Sequence, residues 1–214
     1  MFMDKLIKHK TYIILTVLYM LLTTVVGAIL QNGLILFLTI NMFLAALSWG
    51  ISLVVEYLDE KKIYRWIIIV MSLVWVLFFP NAIYMTTDFI HLQNYSFFEI
   101  YSISYTYLSM DWLVLLIIFT GATYSAYLGI MSIKKMIKIH QINNQYKYIW
   151  LTGLFALSSI GIYIGRFIRL NSWDFYRLDI IFSGIFNEFV FFLSFVGIFI
   201  VIHYIYYFLF KDKV

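Results

Sequence analysis

The chain has 214 residues, of which 64% are hydrophobic and 21% aromatic, with 12% charged and a formal net charge of +4. A soluble domain of that length cannot hide so much apolar surface, so the composition excludes the ordinary globular classes and points to a membrane protein. The chain contains no Cys, which excludes disulfides, thiolate nucleophiles and Cys-based zinc or iron–sulfur sites.

Crossing a hydrocarbon core of roughly 30 Å takes about 20 apolar residues. In chain order the runs that meet this need are 11–30, 34–55, 66–83, 112–133, 148–167 and 189–210. The first follows Lys5, Lys8 and Lys10, but it is longer than a usual signal-peptide core and no small-residue cleavage site follows it, so it reads as an uncleaved first helix. Gln31, Asn32 and Gly33 join the first two runs in a tight hairpin with a glycine at the turn. Gly121, Ser125 and Gly129 on the fourth run, and Gly161 and Gly165 on the fifth, recur every four residues, a spacing that lets helix backbones approach closely in lipid.

The lysines set the orientation. Every one of the 11 lies in a cluster at the N-terminus, between runs two and three, between runs four and five, or at the C-terminus. With Arg65 this gives 12 basic residues on one side against Arg166, Arg169 and Arg177 on the other, so the positive-inside rule predicts both termini in the cytoplasm. The basic balance is therefore explained by membrane orientation, and no nucleic-acid partner is expected. The expectation is an all-α, polytopic bundle of six transmembrane helices with N-in/C-in topology, forming one integral membrane domain over residues 1–214. Its abundance of Ile, Phe, Tyr, Lys and Asn suggests an AT-rich bacterial genome and hence the bacterial cytoplasmic (inner) membrane, with membrane lipids as its surroundings.

Polar residues collect in two segments on the expected outer side. One runs from Phe78 to Leu92 and carries Asn81, Tyr84, Thr86, Thr87, Asp88 and His91; the other runs from Gly165 to Asp174 and carries Arg166, Arg169, Asn171, Ser172, Trp173 and Asp174. Trp66 to Pro80 spans about 22 Å of helix and Trp150 to Gly165 about 24 Å, both short of the hydrocarbon thickness, so these residues begin below the outer surface. Pro80 disfavours a continuing helix, and the backbone it frees needs a partner within protein or a wet cavity. Asn41 can reach the same level from the second run. Asp88 and His91 are three apart, as are Arg166 and Arg169, so each pair shares a face where the chain is helical. Thr86 or Thr87 can cap a short helix bearing Asp88 and His91, and Ser172 one bearing Asp174. Residues 95–110, rich in Tyr, Ser and Phe, and residues 175–187 read as interfacial segments. His9, His140 and His203 lie in or near cytoplasmic flanks and read as ordinary interface residues.

Ionisable groups at membrane depth are costly and face one another or a water-filled cavity, so the two segments are expected to meet. Several chemistries fit. Asp88 or Asp174 paired with Arg166 or Arg169 makes a structural lock. Arg166 and Arg169 together suit a phosphate or carboxylate, with Asn81, Tyr84, Thr87, Asn171, Ser172, Trp173 and Asp174 around the ligand. Asp88, His91 and Asp174 form a candidate metal set, whose oxygen-rich ligation favours a hard divalent cation. His91 as general base with Asp88 as its orienting partner is the catalytic reading, and Ser172 as nucleophile its weakest form.

The same segments resemble a bacterial family of predicted membrane proteins known as domain of unknown function 1361. The resemblance rests on Phe79-Pro80-Asn81-Ala82 with Tyr84, Thr87, Asp88, His91 and Leu92, and on Gly165-Arg166-Phe167 with Arg169, Asn171, Ser172, Trp173 and Asp174. Ile83 stands where many members carry proline. The resemblance spans most of the chain and implies that these residues form the family's site; it implies no reaction. The functional expectation is an outer-facing polar site that binds or processes an anionic or lipid-linked cell-envelope ligand. The alternative is a small transporter or accessory subunit in which the cluster is an ion-pair lock.

Overall fold

The computed structural model describes residues 7, 9–99, 104–170, 174 and 176–212. Within them lie six helical stretches long and apolar enough to cross a membrane. They are α1 (Lys10–Ile29), α2 (Gly33–Glu60), a broken third span, α5 (Ser109–Ile139), a fifth span begun by α6 (Lys147–Tyr163), and α8 (Phe189–Phe210). The fold is the all-α polytopic bundle expected. Two of the five connections between spans, at residues 61–64 and 140–146, lie at the end of the bundle that carries the lysine clusters. The other end, which bears no lysine among the described residues, is called the lysine-free end below.

Helices α2 and α5 outrun their apolar cores, at 28 and 31 residues. At 1.5 Å per residue each exceeds roughly 40 Å, so their lysine-side turns project past the hydrocarbon. Helix α5 is the central post, packed by α2, α4, α8 and the segment after α4. The α1–α2 hairpin forms, but by a different device from the one expected. Gln31, not Gly33, adopts the left-handed conformation at φ 49°, and the Asn32 side chain caps α2 by accepting from the N–H of Leu34 at 3.0 Å and Ile35 at 3.2 Å. An Asx cap satisfies two orphan N–H groups that glycine could not.

The third span departs furthest from expectation. Pro80 does not end it. Helix α3 (Arg65–Phe78) gives way at Phe79 to the short α4 (Pro80–Tyr84) and then to a 3₁₀ helix, Met85–Asn94. Proline is tolerated in the first turn of a new helix because its missing N–H would be unpaired there anyway. The Phe78 carbonyl is taken up by the Asn81 side-chain amide at 2.9 Å, a local repair that the hydrocarbon makes obligatory. Thr87 consequently sits inside the 3₁₀ segment and caps nothing.

The small-residue stripes seat this broken span. A Cβ on Gly161 would meet Pro80 at 2.7 Å, one on Gly165 would meet Tyr84 at 3.1 Å, and one on Gly129 would meet Ala82 at 2.8 Å. The segment from Pro80 is therefore wedged between α5 and α6 by glycines on both sides, which is the close approach that small residues permit in lipid. After α6 the chain forms one turn of π-helix, Ile164–Ile168. It then runs to α7 (Leu178–Asn187), an amphipathic helix whose Leu178, Phe182 and Phe186 stay exposed on one stripe, as an interfacial helix requires. The segment before α5 holds a two-residue-per-strand hairpin, β1 (Phe98–Glu99) and β2 (Ser104–Tyr105), which the pattern of residues 95–110 did not reveal.

The histidines expected at the flanks divide. His140 takes a hydrogen bond with Ser72 Oγ at 2.8 Å and lies 3.3 Å from Arg65 at the lysine-rich end. His203 is wholly buried, not interfacial. Its Nδ1 lies 2.6 Å from the Phe199 carbonyl and its Nε2 lies 2.8 Å from Ser158 Oγ. The carbonyl only accepts, so Nδ1 donates and Nε2 accepts from the serine; both ring nitrogens are satisfied and His203 is part of the core.

Candidate functional site

The 3₁₀ helix creates the site. With three residues per turn, side chains at i and i+3 eclipse, so Asp88 and His91 project from one face toward Arg166 of the π-turn after α6. A 3₁₀ run of 10 residues is long for that geometry, whose runs seldom pass three or four. Its persistence reflects the partners Asp88 finds.

Asp88 is fully buried, and its two carboxylate oxygens are both engaged. One accepts from Arg166 Nη2 at 2.5 Å; the other accepts from the Asn41 side-chain amide at 2.9 Å. The Arg166 guanidinium also donates to Thr87 Oγ1, through Nε at 2.9 Å and through Nη2. The Thr87 hydroxyl in turn donates a hydrogen bond to the Tyr84 carbonyl at 2.7 Å, and the guanidinium lies over the Tyr84 ring at 5.0 Å. A buried pair is stable only when such additional bonds satisfy the remaining donors and acceptors, and here three elements supply them. The two polar segments thus meet, and the expected pairing of an aspartate with an arginine is Asp88 with Arg166. Asn41, about two turns into α2 from its lysine-free end, closes the network.

His91 stands at its edge. Its Nε2 is 3.4 Å from Arg166 Nη1 and 4.0 Å from Asp88 Oδ1. The second distance is too long for a hydrogen bond, so Asp88 does not orient His91 as a catalytic dyad requires. Facing a guanidinium, Nε2 accepts, which leaves the proton on Nδ1. The candidate metal set is likewise not assembled: among the described residues no three His, Asp or Glu side chains are placed to hold a metal ion. The physical reason is Arg166, whose positive charge already occupies the Asp88 carboxylate.

Arg166 and Arg169 do not share a helical face. The π-turn ends at Arg169, which takes the left-handed conformation at φ 61° and ψ 36°. Single π-turns and left-handed non-glycine residues cluster at functional positions. The effect is to separate the two arginines: Arg166 turns inward, its side chain 12% exposed, whereas Arg169 is exposed. Among the described residues Arg169 has no ion-pair partner.

Both arginines line one large cavity of about 1450 Å³, open at the lysine-free end. Asn41, Asn81, Tyr84, His91 and Asp174 share its wall. Asn81 contributes its amide to the Phe78 carbonyl, so its first role is structural. Asn171, Ser172 and Trp173 lie outside the described residues. The cavity itself had no signature in the sequence, because an apolar residue facing a groove and one facing lipid look alike.

No curated protein and no solved structure matches the chain. The family model described as Protein of unknown function (DUF1361) matches residues 40–209, a stretch that includes Asn41, the Asp88 segment, Arg166 and Arg169, and the chain belongs to that family.

Proposed function

We propose that this protein is a bacterial cytoplasmic-membrane protein that binds an anionic ligand of the cell envelope at the outer mouth of the cavity, with Arg169 holding the negative charge. The observation that supports this reading is the division of labour between the arginines. Arg166 is neutralised by Asp88 at 2.5 Å, so its charge is spent on the fold. Arg169 is held in a costly backbone conformation at the cavity wall without a partner among the described residues. A guanidinium presents a planar fork of donors matched to phosphate or carboxylate. His91, on the same wall, can offer a hydrogen bond to a bound group. The positive-inside pattern supports the outward orientation of this end.

The test is native mass spectrometry of the full chain gently extracted from its own membranes, compared with Arg169→Gly. Glycine accepts the left-handed backbone without strain, so the variant folds at least as well as the parent. A co-purifying anion that is lost in Arg169→Gly is the expected result. A ligand-free parent spectrum, or one unchanged by the substitution, overturns the reading. The second reading, a structural lock without a ligand, is favoured by the Arg166–Asp88 pair and predicts that second outcome.

A further inference from the structure

The cavity is the wrong shape for a small hydrophilic anion. At about 1450 Å³ it exceeds the roughly 300–1,000 Å³ of ordinary small-molecule pockets. Its lining follows α2 from Leu34 down to Leu47, about 20 Å along the helix axis, far below the level of Arg169. Helices α2 and α6 both pack on α4, which leaves a trough between them. The walls below the polar network are apolar: Leu44 and Leu47 on α2, Val76 and Leu77 on α3, Ile160 on α6. The two polar side chains within reach, Asn41 and Asn81, give their amides to Asp88 and to the Phe78 carbonyl. With one N–H of each already committed and apolar walls around them, a hydrophilic ligand would find few partners there, and much of its desolvation would go uncompensated.

The rims of the trough face outward from the bundle. Ile40 on α2 is 55% exposed and Leu157 on α6 is 58% exposed, and both line the same cavity. The trough is therefore open along its side, toward the lipid, as well as at its end.

Resting on the reading that Arg169 binds an anion, we propose that the anion is the phosphodiester head of a membrane lipid. The lipid slides in sideways from the surrounding leaflet, sets its phosphate on Arg169 and lays a chain along the trough between α2 and α6. The charge count selects the head. With Arg166 compensated, Arg169 is the uncompensated cation among the described arginines of the wall, which matches a singly charged phosphodiester. Tyr95 and Asn94 at the mouth suit the glycerol level of a leaflet, where tyrosine is enriched.

The experiment uses the full chain, stripped of lipid by detergent exchange, with binding followed by native mass spectrometry. Three probes are titrated: dioleoyl phosphatidylglycerol, dioleoylglycerol, which has the chains without the phosphate, and glycerol phosphate, which has the phosphate without chains. Two variants accompany the parent. Arg169→Gly removes the cation, and Leu157→Trp narrows the trough from its exposed rim without touching Arg169. Phosphatidylglycerol is expected to bind at least tenfold more tightly than either other probe, with a loss of about tenfold in Arg169→Gly, in line with one charge-assisted contact, and a comparable loss in Leu157→Trp from the narrowed trough. Glycerol phosphate binding as tightly as the lipid, or lipid binding untouched by Leu157→Trp, overturns the lipid inference while leaving an Arg169 anion site intact. Binding of both phosphate probes that ignores Arg169→Gly overturns the anion reading and this inference with it.

Discussion

Arg166 and Asp88 illustrate what a buried charge pair does in a membrane. Each alone would be severely destabilised by removal from water, and their attraction compensates only because Asn41, Thr87 and the Tyr84 ring complete the surroundings. Removing one partner leaves the other charged and unpaired, so Arg166→Ala and Asp88→Ala are each expected to lower stability by about 3–5 kcal/mol. The double variant Arg166→Met with Asp88→Leu is expected to regain most of that loss, because it removes both charges and keeps the volume. Denaturant unfolding of the detergent-solubilised protein checks both; additive losses in the double variant would mean that the pair is not a lock. A second residue responds to pH at the other end of the bundle. Burial, and after it the Arg65 guanidinium, hold the His140 pKa below the ordinary 6.5, with Asp59 pulling the other way. The unfolded chain then takes up its proton at a higher pH than the folded one, so the contribution is full above the ordinary value and lost as pH falls below it. Stability measured from pH 8 to 5 should decline less steeply in His140→Gln than in the parent. Of these residues the sequence disclosed the identities but not the assignments. It offered Asp88 or Asp174 for Arg166 or Arg169, and only the π-turn, which has no sequence signature, separates the inward arginine from the outward one.

At the scale of elements, the glycines decide where the broken span can lie. On α6 an added Cβ at Gly161 would meet Pro80 at 2.7 Å, whereas one at Gly153 meets nothing within 4 Å. Gly161→Ala is therefore expected to cost about 1–3 kcal/mol through overpacking. Gly153→Ala should be neutral or stabilise by up to about 1 kcal/mol through helix propensity. Thermal unfolding of the two variants side by side tests this, and equal shifts would contradict the wedge. The six spans were legible because apolar runs of membrane length have few other uses, and the four-residue glycine spacing correctly marked close packing. The behaviour of the third span was not legible. Proline reads as a helix breaker, yet here it starts a new helix directly after the old one, where Asn81 takes up the Phe78 carbonyl and the glycines of α5 and α6 make room for the segment. The 3₁₀ run beyond it is imposed by Asp88 reaching Arg166 and Asn41, a tertiary demand that local propensity does not encode.

For the whole molecule, the governing asymmetry is between its two ends. One end holds every described lysine, together with Arg65, Asp59 and the Lys135–Glu56 pair at 2.8 Å. The other holds the cavity mouth, the hairpin β1–β2 and the exposed apolar stripe of α7. If the lysine end is cytoplasmic, as charge bias directs, the Arg169 site opens to the outside and its ligand belongs to the outer leaflet. The absence of cysteine makes this directly measurable, since any thiol introduced is the sole one. Gln93, exposed at the end of the 3₁₀ helix, and Asn144, exposed between α5 and α6, mark opposite ends. In intact cells Gln93→Cys should react with a membrane-impermeant maleimide, and Asn144→Cys should react only after the membrane is opened. The reverse labelling would turn the cavity toward the cytoplasm. The lipid trough would survive that reversal, since its walls and open side are indifferent to orientation, but its ligand would then be drawn from the inner leaflet.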